Sequence, residues 1–183
     1  MTLLILGVLL WAAAHLLKRL APGLRARLGE GPGKGLVTLA LLVSLYLMVT
    51  GYRAADFVHL WEPPLFLRHV NNLLMVFAVI LVTMQANRGR MQSLMRHPML
   101  TGVKTWALAH LLVNGDLASV VLFGGMLAWA VVEVIVINRA NRSWTRPAPG
   151  PLVADIAHVA GALVLMGGII WLHGWLGYPA VGG

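Results

Sequence analysis

The sequence predicts an all-α, polytopic membrane helix bundle with about six transmembrane helices and both termini outside. Three observations lead there. Of 183 residues, 59% are hydrophobic and only 11% charged, against about 25% charged for an ordinary soluble domain. Apolar runs near the length needed to cross a bilayer, roughly 20 residues, recur along the whole chain. Lysine and arginine are concentrated at alternate loops, as a multi-pass topology requires. The length suits one integral membrane domain over residues 1–183.

The first apolar run, 2–20, starts almost at Met1 without a basic leader and is followed by no small-residue cleavage site, so it reads as a retained helix. Residues 21–34, rich in Gly and Pro, read as an irregular loop. A second helix is expected over 35–52. Residues 53–66, with Asp56, His59, Trp61, Glu62 and Pro63-Pro64, read as an interfacial cap with Trp61 at headgroup level. A third helix follows at 67–87. The fourth and fifth, 98–114 and 116–138, are parted only by Asn114-Gly115-Asp116, a turn signal. The sixth spans 152–176. The closing Gly-Tyr-Pro-Ala-Val-Gly-Gly reads as a loose tail.

The loops after the first, third and fifth helices carry Lys18, Arg19, Arg25, Arg27 and Lys34; Arg88, Arg90 and Arg96, with Lys104 just inside the next helix; and Arg139, Arg142 and Arg146. That is 12 of the 14 basic residues, leaving Arg53 and Arg68 on the other side. The crowded side is assigned to the cytoplasm. Topology thus accounts for the net charge of +8; no basic stripe interleaved with exposed aromatics marks a nucleic-acid binder. The partners expected are membrane lipids.

Absences narrow the chemistry. With no cysteine, disulfides, thiolate metal sites, iron–sulfur clusters and cysteine nucleophiles are excluded. There is no glycine-rich phosphate loop, no His-Glu-x-x-His helix and no Gly-x-Ser-x-Gly elbow. What remains is histidine in apolar helices, where an ionisable side chain is costly and marks a candidate site.

His15 lies about one turn inside the cytoplasmic end of the first helix, in Trp11-Ala-Ala-Ala-His15. It either snorkels towards water or faces the bundle interior as a ligand. His110 is the deepest histidine. Trp106 and Asn114 lie four residues to either side, so the three share a helix face. Asn114 or Asp116 is positioned to orient its second ring nitrogen; the bland alternative is a helix–helix hydrogen bond. Arg96 and His97 stand at the cytoplasmic start of that helix, about 20 Å from His110 at 1.5 Å per residue. His69 reads as interfacial. His158 follows Asp155 by about one turn, and the two are expected to steady each other; His173, by Trp171 and Trp175, belongs to an outer aromatic belt, and Glu133 is also read as structural. Two histidines on separate helices can clamp an iron porphyrin, given apolar walls and basic groups for its propionates.

Several pieces carry a family resemblance: His15 with Arg19, Arg96-His97-Pro98 with Gly102, Trp106-Ala107-Leu108-Ala109-His110, and Asn114-Gly115-Asp116. Through them the chain resembles the NnrU membrane proteins, named for a link to nitrite and nitric oxide reduction and related to 15-cis-ζ-carotene isomerase. The resemblance implies a multi-pass protein of the bacterial inner membrane with haem b as cofactor. The axial metal ligands would be His15 and His110, with Trp106, Asn114, His97 and Arg96 as further cofactor contacts. It implies redox or gas-ligand chemistry on nitric oxide, or haem-dependent cis–trans isomerisation of ζ-carotene or a similar hydrophobic polyene. A non-catalytic reductase assembly factor is the third reading. Ala107 stands where the isomerase has a cysteine implicated in a ligand switch. The competing partners for either histidine are His97, His69 and His158. Arg-His-Pro-x-x-x-Gly also resembles the start of membrane S-adenosylmethionine-dependent methyltransferases, whose Glu- and Tyr-rich downstream segment is missing from 139–155.

Overall fold

In a computed structural model, residues 1–178 and 180 are described; the tail reading from Pro179 on therefore falls largely outside them. The described residues are all-helical apart from one isolated antiparallel bridge, His59 to Asp116. We label the helices α1 (Thr2–Leu20), α2 (Pro22–Arg27), α3 (Glu30–Arg53), α4 (Leu67–Thr83), α5 (Pro98–Val113), α6 (Leu117–Ala140) and α7 (Leu152–Trp175). α4 runs into a 3-10 turn, Met84–Ala86, and α6 contains a π turn over Val120–Gly124.

Among the described residues five helices are long and apolar enough to cross a membrane: α1, α3, α4 with its 3-10 turn, α6 and α7. The sixth expected span, α5, has 16 residues, about 24 Å at 1.5 Å per residue. That is short of a hydrocarbon core of roughly 30 Å. It starts at Pro98, where the missing N–H costs nothing, and stops before Asn114-Gly115-Asp116.

The expected irregular loop at 21–34 is instead largely helical. Pro22 opens α2 at its first turn. Gly29 takes φ +73 as the N-cap of α3, and Pro32 falls in that helix's first turn. Backbone N–H groups there have no intrahelical partner in any case, so proline and glycine punctuate the helices without abolishing them.

The chain divides into two compact units. The first comprises Met1–Pro63 and Asn114–Arg142, with α1, α2, α3 and α6. Its main contact is α1 along α3, and it depends on small residues. A Cβ on Gly51 would strike the backbone of Leu3 and Leu4, and one on Gly7 would lie 2.8 Å from the Met48 amide nitrogen. In lipid, close backbone approach of this kind replaces the hydrophobic drive that water gives a soluble core. The expected cap over 53–66 is tied down by main-chain bonds within this unit. Leu60 N–H donates to the Gly115 carbonyl at 2.8 Å and Leu117 N–H to that of Val58 at 2.9 Å. Gly115 admits no side chain, because a Cβ there would meet the Trp61 carbonyl oxygen.

The second unit comprises Pro64–Val113 and the described residues from Ser143 on. α4 packs along α5 and, less extensively, α7. Gly102 sets the α4–α5 spacing: a Cβ there would lie 2.7 Å from the Val82 amide nitrogen and 2.8 Å from the Ala78 carbonyl oxygen. Ala107 and Ala109 of α5 are fully buried.

Candidate functional site

In the first unit, α1 places Trp11, His15 and Arg19 at successive four-residue steps, which align on one helical face. α6 matches them with Trp129 and Glu133, also four apart. The His15 ring lies between two indoles, its centroid 4.4 Å from that of Trp11 and 4.7 Å from that of Trp129. The indoles meet edge to face at 5.5 Å. One turn further on, Arg19 Nη1 donates to Glu133 Oε1 at 2.8 Å. His15 therefore faces α6, in the interior of its unit, and does not snorkel away from it.

This cluster holds three of the buried polar atoms that find no hydrogen-bond partner: the indole N–H groups of Trp11 and Trp129 and Oε2 of Glu133. Trp129 is 6% and Glu133 5% exposed. Unmatched buried donors and acceptors are uncommon and call for an explanation. Nothing in the sequence around Trp129 marks it as a site residue, and the structural reading of Glu133 leaves its partner unnamed. The matching four-residue spacings, Trp11-His15-Arg19 and Trp129-Glu133, are the signal that could have paired them.

In the second unit, α5 carries Trp106 and His110 with ring centroids 5.2 Å apart. His110 Nδ1 is hydrogen-bonded to the Trp106 carbonyl at 2.9 Å, which orients the ring at that nitrogen. His15 Nδ1 has the same relation to the Trp11 carbonyl at 3.0 Å. Asp116 caps α6: Oδ1 accepts from Ser119 N–H at 2.9 Å and Oδ2 from its hydroxyl at 2.6 Å. The Ser119 oxygen also meets Tyr52 OH at 2.8 Å. At the other end of α5, the His97 carbonyl accepts from both the N–H and the hydroxyl of Thr101 at 2.9 Å.

Asp155 and His158 do not steady each other through the bonds resolved here, because each is engaged elsewhere. Asp155 accepts from Asn87 Nδ2 at 2.8 Å and from the amides of Arg90 and Met91 at 2.9 and 3.0 Å. His158 Nε2 meets the Ile80 carbonyl at 3.0 Å. His69 is exposed at the start of α4. His173 Nδ1 bonds the Ile169 carbonyl at 2.8 Å, beside Trp171 and Trp175, which are 70% and 73% exposed.

Helices of spanning length with polar groups gathered inside apolar segments define a multi-pass membrane protein with a candidate intramembrane site. The NnrU protein family model matches residues 3–180, and the chain belongs to that family. Neither the curated proteins nor the solved structures give a match.

Proposed function

We propose that the protein binds haem b and serves nitrite or nitric oxide metabolism, with His15 and His110 each a candidate axial ligand. The observation that carries this reading is the His15 cluster. An imidazole is walled by two indoles in an apolar helix pair, and buried donors beside it lack partners. The unmatched Trp11 and Trp129 N–H groups suit the carboxylates of a porphyrin. Arg19, already paired with Glu133, lies one turn away.

Both histidines have Nδ1 fixed by a carbonyl four residues back. A neutral ring that donates from Nδ1 presents Nε2 as the acceptor, the arrangement usual for a histidine that binds a metal. Among the described residues no three His, Asp or Glu side chains gather to hold a bare ion. A porphyrin iron brings four nitrogens of its own and needs only axial ligands. Bound haem would supply a redox-active iron or a position for a diatomic gas; the chain's residues would orient the ring and exclude water.

The isomerase reading has less support. Ala107 is fully buried and offers no thiolate for the ligand switch. The test of the haem reading is a pyridine haemochrome assay on protein purified in detergent from haem-replete cells. A stoichiometric b-type haem supports the proposal; a colourless, iron-free preparation overturns it.

A further inference from the structure

Arg96 and Pro98, at the start of α5, line a cavity of about 200 Å³ within the second unit. Gln85 and Gln92 contribute two amides to it, and Met84 and Trp144 give it apolar walls. Its setting is strongly basic. Arg88 and Arg90 belong to the same connecting segment and Arg146 to the one before α7, whereas no carboxylate is among the lining residues. Asp155, the acidic group fixed to this segment, already accepts three hydrogen bonds from Asn87, Arg90 and Met91. That carboxylate thus secures the shape of the loop that carries Arg96 to the cavity.

A planar guanidinium with two flanking amides matches the several acceptor oxygens of a phosphate. The indole and thioether walls accommodate an apolar body attached to it. Basic pockets on the side of a membrane protein rich in Lys and Arg are suited to anionic headgroups. We propose that this cavity binds a phosphate-bearing anion, gripped by Arg96 with Gln85 and Gln92 against the Trp144 ring. The site lies at the opposite end of α5 from His110 and is independent of the haem reading.

The test uses the full chain, delipidated in detergent, and titrates it calorimetrically with inorganic phosphate. A second arm measures by native mass spectrometry which lipid is retained from vesicles of phosphatidylglycerol or of phosphatidylcholine. A charge-assisted contact of this kind predicts that Arg96→Gln weakens binding by about tenfold or more. Arg68→Gln, the same charge change at the start of α4, should stay within about twofold of wild type. Arg96→Lys should fall between them, because a point charge replaces the fork. Retention of phosphatidylglycerol, displaced by phosphate, identifies a lipid headgroup; phosphate binding without lipid retention identifies a soluble ligand. Should Arg96→Gln not fold, the Gln85→Leu/Gln92→Leu double variant carries the same expectation. Unchanged phosphate and lipid binding in the variants overturns the proposal. So does S-adenosylmethionine binding that phosphate does not compete with, or loss of haem alone in Arg96→Gln.

Discussion

Arg19 and Glu133 form an ion pair at 2.8 Å between α1 and α6, with their side chains 30% and 6% exposed. Only one carboxylate oxygen is satisfied; Oε2 is buried without a partner. The pair therefore ties two apolar helices together one turn along from the His15 ring.

Arg19→Ala should destabilise the protein by about 2–4 kcal/mol, because it leaves a buried carboxylate uncompensated. The Arg19→Met/Glu133→Leu double variant should recover most of that loss, since it removes the desolvation cost of both groups. Thermal unfolding in detergent, arranged as a double-mutant cycle, measures the coupling. A double variant as unstable as Arg19→Ala would contradict this account of the pair.

Trp129 separates packing from hydrogen bonding. Its indole N–H is unmatched, so Trp129→Phe removes an orphaned donor and should cost less than about 1.5 kcal/mol despite the smaller ring. Trp129→Ala empties the wall beside His15 and should cost about 3–5 kcal/mol. Comparable losses in the two variants would show that the N–H has a partner.

Asp155 holds the segment after α4 through one side-chain and two backbone donors. Asp155→Ala strips the acceptor from all three and should loosen the segment locally. Trypsin should then cleave faster after Arg88, Arg90 and Arg96. Equal cleavage rates in wild type and variant would show that the loop is held by other contacts.

Gly102→Leu should weaken α4–α5 packing severely, because even a Cβ would sit 2.7 Å from the Val82 backbone nitrogen. Gly102→Ala should cost about 1–3 kcal/mol. Gly161 in α7 has open space, so Gly161→Ala should be neutral or stabilising by helix propensity. Helix content followed by circular dichroism during unfolding distinguishes the two sites.

Helix positions were legible because the apolar runs are long and the breaks between them are polar or proline-rich. The end of α1 at Leu20 and the start of α5 at Pro98 match the sequence reading to the residue. Residues 21–34 were not, because Pro22 and Pro32 break helices only when they fall inside one, and here each sits in a first turn. In the site, His15 and His110 stood out as imidazoles in apolar helices. Trp129 did not, since an aromatic residue in an apolar helix carries no mark of what it touches. The Asn87–Asp155 bond joins residues 68 apart, and nothing in either local sequence announces the other. Arg19 and Glu133 were both visible as charges; only packing makes them partners.

The proposed haem ligation by His15 and by His110 is open to direct test. The most direct measurement is the optical spectrum, oxidised and dithionite-reduced, of the wild type beside His15→Ala and His110→Ala at equal protein concentration. The account predicts a b-type Soret band in the wild type that weakens or shifts in each variant, with helix content unchanged. Full-intensity, unshifted spectra in both variants would contradict it.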